Sequence, residues 1–255
     1  CKTGSLLKKY SRRWSLWAWL FLSLGLVLGG RWAYDVLGWG GYWAWDPVEI
    51  AAFNPWLVGT AFLHSVMIQE KRGMLKHWNM ILIILTYLAV IWGTFATRSG
   101  VFSSVHSFAQ SAIGPMFFAF MGITFITSIA LLIWRWPDLK SETEMKSMLS
   151  REALFLLNNL LFLSIFVICF WGMNIPWISE LFTRDKLTFG PPFYEQATTP
   201  LWGALMLLMA IAPLSTWGLS SIQHLGQVNR AVLGGILTVP VALIALWWEN
   251  LVNLL

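Results

Sequence analysis

WNMILIILTYLAVIWGTFAT, residues 78–97, runs without a single charged side chain. As a helix rising 1.5 Å per residue it is about 30 Å long, which is the thickness of a bilayer's hydrocarbon core. Lys71, Arg72 and Lys76 precede it and Arg98 follows it, so polar ends bracket an apolar middle. Six further apolar runs have comparable length, at 14–30, 53–69, 115–136, 153–172, 201–219 and 231–248. In lipid such runs satisfy their backbone polar groups only as helices, and the alternating pattern of a membrane β-barrel is missing. The sequence therefore predicts an all-α, polytopic transmembrane bundle with about seven spans in a single membrane domain over residues 1–255.

Composition agrees. Of 255 residues, 57% are hydrophobic and 11% charged, roughly half the charged share of a soluble domain. A water-soluble globule is excluded, and so is disorder: 18 Trp, 17 Phe and a mean hydropathy of +0.64 give more apolar surface than a solvated chain carries. A pI near 9.4 would suit a nucleic-acid binder, but the basic residues sit between apolar runs, so the expected partner is the lipid bilayer and no nucleic acid. Cys1 and Cys169 are the only cysteines, with no C-x-x-C pair and no C-x-x-C-H motif. That excludes a disulfide scaffold, a thiol oxidoreductase and covalent haem attachment to this chain. Phosphate-cradling glycine loops are also missing. The chain opens on Cys1 and a basic segment, KKYSRR, with no small-residue cleavage site after the first apolar run, and is expected to be a piece of a longer protein.

The basic residues also set the orientation. With the N-terminus inside, on the cytoplasmic or matrix side, Lys2, Lys8, Lys9, Arg12, Arg13, Lys71, Arg72, Lys76, Arg135, Lys140, Lys146, Arg151 and Arg230 all fall inside. Only Arg31, Arg98, Arg184 and Lys186 fall outside, a strong positive-inside bias. Three external loops follow, at 31–56, 98–114 and 173–200. The inner stretch PDLKSETEMKSMLSRE reads as a solvated connector with a helical turn or two.

The first external loop, RWAYDVLGWGGYWAWDPVEIAAFNPW (31–56), holds Trp32, Trp39, Trp43, Trp45 and Trp56 with Tyr34, Tyr42 and Phe53. An interfacial aromatic belt explains one or two Trp at a helix end. It does not explain five interleaved with Gly38, Gly40, Gly41, Asp46, Pro47 and Glu49. Flat aromatic faces, glycines that permit close backbone approach and a few polar anchors suit a planar hydrophobic ligand.

WGGYWAWDPVE (39–49) resembles the Trp-rich "WWD" signature of the haem-handling proteins of cytochrome c biogenesis. Its continuation FNPWLVGTAFLHS, then EKRG, GTFATRSGVFSSVHSFA and GPPFYE, resembles the CcmF/NrfE family of cytochrome c-type haem lyase subunits. The likeness runs from about Gly38 to about Gly218. The family's proteins are much longer, so an internal segment or one part of a split gene is implied. The related CcsA branch reads Asp-Pro-Lys-Glu where this chain has Asp46, Pro47, Val48 and Glu49, and lacks the GTF-x-x-RSG stretch. The family often has Asn where Ile50 stands and a bulkier aromatic where Ala44 stands.

The resemblance assigns roles residue by residue. His64, in Leu-His-Ser, matches an axial ligand of a stably bound haem b; without the resemblance it reads either as a ligand or as a core histidine bonded to a neighbouring helix. Counted from the apolar run at 53, it lies roughly 16 Å into the membrane. The second axial ligand would come from a later helix, where no intramembrane His is evident. His106, in Ser-Val-His, matches an external ligand of haem in transit, whose partner would lie upstream of Lys2. The expected haem-contacting set is Trp39, Gly40, Gly41, Trp43, Trp45, Asp46, His106 and Arg98, with His106, Trp43 and Trp45 as the catalytic group. Arg98 suits a haem propionate or the membrane surface equally, as does Arg31. Asp46 and Glu49 are barred by charge from propionates and suit a helix cap or the loop backbone. His77 and His224 match no ligand and read as surface residues.

The implied function is the haem lyase component of cytochrome c maturation. Haem, the substrate, arrives from a membrane-tethered haem chaperone and is joined to the C-x-x-C-H thiols of apocytochrome c, delivered by thiol-reducing and presenting subunits. The implied place is the bacterial inner membrane with the haem site facing the periplasm, or the mitochondrial inner membrane for a split organellar gene. Two other classes remain: a transporter of haem or another hydrophobic molecule, and a non-catalytic scaffold of the assembly complex. Against the transporter stand the lack of paired broken helices and of buried acidic residues.

Overall fold

The computed structural model describes residues 2–38, 40–102, 104, 113–141, 143 and 150–212, with the backbone alone over 2–10 and at 211. Among these residues every regular element is helical: α1 (Lys2–Trp32) closing on a π-helical turn (Ala33–Leu37), α2 (Pro47–Arg72), α3 (Lys76–Arg98), α4 (Ile113–Trp134), a short 3-10 turn (Trp136–Leu139), α5 (Arg151–Thr183) and α6 (Pro191–Ile211). Among the described residues five stretches are long and apolar enough to cross a bilayer: Ser11–Leu37, α2, α3, α4 and α5. The protein is a multi-pass helical membrane protein. Part of the run expected at 201–219 lies in α6; its remainder, the run at 231–248 and His224 lie outside the described residues.

Helix boundaries follow from capping chemistry. Asp46 accepts the Val48 N–H at 3.0 Å and Glu49 reaches back to the Asp46 N–H at 3.3 Å, a capping box that starts α2 at Pro47, whose ring presets the helical φ. The helix ends where Gly73 turns left-handed (φ 67°) and donates to the Gln69 carbonyl. Leu75, also left-handed, then launches α3 back alongside α2. Between them Asn79 Nδ2 donates to Gln69 Oε1 and, at 3.4 Å, to the Ser65 carbonyl. α4 packs against α3, yet only Gly114 and Leu132 of its length are buried, as befits a helix facing lipid.

α1 and α2 are joined by a reciprocal clasp. The Trp19 indole N–H donates to Thr60 Oγ1 and the Trp56 indole N–H donates to Ser23 Oγ, both at 2.8 Å. Each hydroxyl in turn donates to the tryptophan carbonyl four residues earlier on its own helix, Thr60 to Trp56 at 2.6 Å and Ser23 to Trp19 at 2.8 Å. The two indoles stack with centroids 6.0 Å apart. Interhelical bonds of this kind contribute about 0.6 kcal/mol each in a membrane, up to roughly 1.7. Lower down, Arg12 pairs with Glu70 at 2.6 Å.

α1, α2 and α5 are longer than their apolar runs, and the first and third external loops are shorter than expected. The first connection is confined to 38–46, because the capping box recruits Pro47–Phe53 into α2. α5 continues past Gly172 and through Pro176 to Thr183, held by Asn174, which donates to the Phe170 carbonyl at 2.6 Å and accepts the Trp177 indole at 2.9 Å. With α6 starting at Pro191, the third connection shrinks to 184–190. The chain divides into two compact units, residues 1–144 with 159–201 and residues 145–158 with 202–255, a division that the sequence does not announce. In the second, Ser150 Oγ caps α5 by accepting the Ala153 N–H at 3.3 Å.

Candidate haem-handling site

Every side chain in this section belongs to the first unit. Over 38–46 the chain reverses with Gly38 at φ 66° and Gly40 at 71°, a conformation that glycine adopts without steric cost. Trp45 is also left-handed, at φ 57°, which a bulky residue reaches only under restraint, at a cost of about 1–3 kcal/mol. The restraint is visible: Glu49 Oε2 accepts the N–H of Ala44 at 3.1 Å and that of Asp46 at 3.3 Å, clamping the residues on either side of Trp45. Glu49 thus holds the loop backbone while the Asp46 side chain caps α2, so both uses that their charge allowed are realised.

The clamp presents a set of rings. Trp43 meets Trp45 edge to face at 5.8 Å and Phe53 at 5.5 Å; Phe53 stacks on Trp56 at 5.6 Å. Trp45 lies flat on Tyr194, 5.0 Å between centroids and 8° between planes. Tyr194 comes from the first turn of α6 and is 3% exposed. It seats so closely over α5 that a Cβ added at Gly172 would stand 2.7 Å from its ring. Burial, with the neighbouring Cys169 thiol acting in the same direction, pushes the Tyr194 phenol above its ordinary value, so it stays protonated. On the loop's free side a Cβ at Gly40 would meet nothing within 4 Å. Aromatic faces beside open backbone suit a flat apolar molecule.

With α2 starting at Pro47, His64 is about 25 Å along the helix axis from the loop. Its imidazole stacks on Phe162 at 6.1 Å, and Phe162 meets Trp56 edge to face at 6.2 Å. Rings therefore follow one another from Trp45 through Trp43, Phe53, Trp56 and Phe162 to His64. Among the described residues no three His, Cys, Asp or Glu side chains gather as a bare cation would require. A porphyrin supplies four nitrogens of its own and asks the protein for one or two axial donors, so a single His beside aromatic rings fits haem iron better than a naked metal.

Of the expected residues, the structure brings Trp43, Trp45, Gly40, Gly41 and Asp46 together. Trp39 and His106 lie outside the described residues. Arg98 is exposed at the end of α3, and Arg31 pairs with Asp35 at 3.3 Å on the exposed face of α1. At the start of α3 His77 Nε2 lies 2.9 Å from the Trp136 carbonyl with its ring against the indole, tying α3 to the connector. Tyr194 stands in the GPPFYE stretch, which assigns it no role, and Phe162, in an apolar run, carries no signal of its own.

The family described as "Cytochrome C assembly protein" matches residues 1–102, which include the loop and His64. The chain is 42% identical over 243 residues to the cytochrome c-type biogenesis protein ccl1 of Rhodobacter capsulatus, covering 94% of this chain and 36% of that protein. With CcmF of Pseudomonas aeruginosa it shares 43% identity over 210 residues, covering 82% and 32%. A solved structure described as Cytochrome c Heme Lyase CcmF superposes with a TM-score of 0.67 at 36% identity, covering 84% of this chain and 31% of that one. The chain is homologous to one segment of the CcmF/NrfE proteins. It spans about a third of the length of the curated relatives it matches. Within this CcmF-type segment, Tyr194 and Phe162 lie beyond the family match, so the ring contacts draw on both sides of residue 102.

Proposed function

We propose that this chain is the haem-handling segment of a cytochrome c haem lyase component in an inner membrane. The observation that carries the reading is the clamped aromatic loop: Trp43 and Trp45, backed by the buried Tyr194, form a rigid apolar face held by Asp46 and Glu49 at the N-terminus of a membrane helix. On the outer side of the membrane, substrate haem from a membrane-tethered chaperone lies against that face. His106 ligates its iron and Arg98 pairs with a propionate. Apocytochrome c, presented by its thiol-reducing subunits, brings its two C-x-x-C-H thiols to the exposed haem edge. Each S–H adds across a vinyl group, sulfur to one carbon and hydrogen to the other, so no net oxidant is needed. This chain supplies geometry and axial ligation, while the nucleophiles belong to the substrate. A haem b held by His64 stores an electron in the membrane when bound; this chain's contribution there is the imidazole and the Phe162 ring packed on it.

The test replaces Trp43 and Trp45 together by Ala in the intact protein. Each indole offers about 150–250 Å² of apolar surface, so haem retained at the outer loop should fall severely and holocytochrome c with it, while the spectrum of haem at His64 stays native. Normal cytochrome assembly, or loss of the His64 haem instead, would reduce the loop to an interfacial belt.

A further inference from the structure

Hydroxyls on the helices of this chain bond back to the carbonyl four residues earlier: Ser23, Thr60, Thr86, Ser164 and Thr198 all do so, at 2.6–2.8 Å. Ser65, on α2 and 0% exposed, does not, and its Oγ has no hydrogen-bond partner among the described residues. Facing it across the α2–α3 interface, Asn79 is 3% exposed and used at one end only. Its Nδ2 donates to the Gln69 side chain and, at 3.4 Å, to the Ser65 carbonyl, while its Oδ1 is without a partner. Two residues already in contact therefore carry between them an unused donor and an unused acceptor. Ile68 and Leu82, about one turn further along each helix, are fully buried and apolar. In such surroundings an unbonded hydroxyl or amide oxygen is unfavourable, and here the two occur side by side.

We propose that one ordered water molecule binds between Ser65 and Asn79, accepting the Ser65 Oγ–H and donating to Asn79 Oδ1. Two O–H···O bonds laid end to end join oxygens up to about 5.5 Å apart, and buried waters have two to four polar partners. Ser65, Gln69 and Asn79 bring no charge, so an ion there would be left uncompensated. A small neutral molecule that both accepts and donates fits what they offer. The water completes a polar knot that pins α2 to α3 one residue beyond His64. Rotation of α2, which would carry the imidazole off the Phe162 ring, has to break it.

The experiment is hydrogen exchange on the intact protein in lipid nanodiscs, which reads local opening of the segment from Ser65 to Asn79. The sign of the change decides. With the water bound, Ser65→Ala strips it of one partner and weakens its hold on Asn79 Oδ1, so exchange in this segment should quicken about fivefold, the scale of one net hydrogen bond. With nothing bound, the same substitution deletes an unsatisfied hydroxyl, and exchange that slows or stays native overturns the proposal. Asn79→Ala tests whether the two residues share one partner. In that background Ser65→Ala should add nothing or slow exchange; an equal acceleration there assigns the effect to α2 alone and overturns the shared site. Infrared spectra in ordinary and heavy-oxygen water give a readout that packing does not imitate. The difference between native protein and Ser65→Ala should contain a water O–H band that shifts with the isotope, and its absence overturns the proposal even where exchange has quickened.

Discussion

Gly172→Ala sets two opposing effects against each other on α5. The added methyl carbon would stand 2.7 Å from Tyr194 Cε1, 2.9 Å from its hydroxyl oxygen and 3.0 Å from Phe193 Cε1. Carbon atoms pack best at about 3.5–4.0 Å, so the Tyr194 ring must retreat by roughly 1 Å. Phe193 is partly exposed and can yield, but Tyr194 is buried between α5 and the Trp45 ring 5.0 Å away. Overpacking of this kind costs about 1–3 kcal/mol, whereas replacing glycine by alanine inside a helix contributes about 0.5–1 kcal/mol in the other direction. The clash wins. The net loss should be about 1–2 kcal/mol, which lowers the unfolding midpoint by about 2–4 °C per kcal/mol in a chain of this size. The measurement is a double-mutant cycle on purified protein in detergent: Gly172→Ala alone, Tyr194→Ala alone, and both. With the ring removed, only the helix preference remains, so Gly172→Ala should become neutral or stabilising in the Tyr194→Ala background. Equal cost in both backgrounds, or no cost in the native one, would refute the claim that Gly172 exists to seat Tyr194 beneath Trp45.

An accessibility tag between Lys71 and Lys76 should be labelled only from the inner side, and one beside Ser103 only from the outer side; labelling of both from one side would remove the shared outer site. His64→Ala in the intact protein should empty the membrane haem or convert its spectrum to a five-coordinate form, while an unchanged spectrum and haem content would leave His64 a packing residue.

What sequence conveyed best was what depends on long uncharged runs. The stretch at 78–97 is α3 to within a residue or two, because a run bounded by Lys76 and Arg98 has only one way to satisfy its backbone in lipid. Boundaries set by capping were less legible. Asp46, Pro47 and Glu49 carry the capping box openly, and the charge of Asp46 and Glu49 points to such a cap, but hydropathy alone starts the apolar run only at 53. α5 outran its apolar run because Asn174 and Trp177 satisfy each other beyond Gly172, a local pairing that composition averages away. At the site, Trp43, Trp45, Gly40, Gly41 and Asp46 are close in sequence and were found together. The contacts that fix them are not: Tyr194 reaches Trp45 across 149 positions and Ser104 reaches Asp46 across 58. No periodicity encodes a contact of that range.

The clasp between α1 and α2 bears on the order in which the chain assembles. Trp19 with Ser23 and Trp56 with Thr60 repeat one pattern, tryptophan followed four residues later by a hydroxyl, on two helices of opposite direction. An indole N–H left facing hydrocarbon has nothing to bond, and a hydroxyl bonded only to its own helix is half used. Each helix thus carries a donor and an acceptor that the other alone completes, at a single register: a slip of one residue swings both indoles about 100° away. A partner helix from elsewhere in the bilayer would need the same spacing to compete. Once both helices are in the membrane the clasp needs no other element of the chain, so the α1–α2 hairpin can lock its register before α5 and α6 bring Phe162 and Tyr194 against its rings.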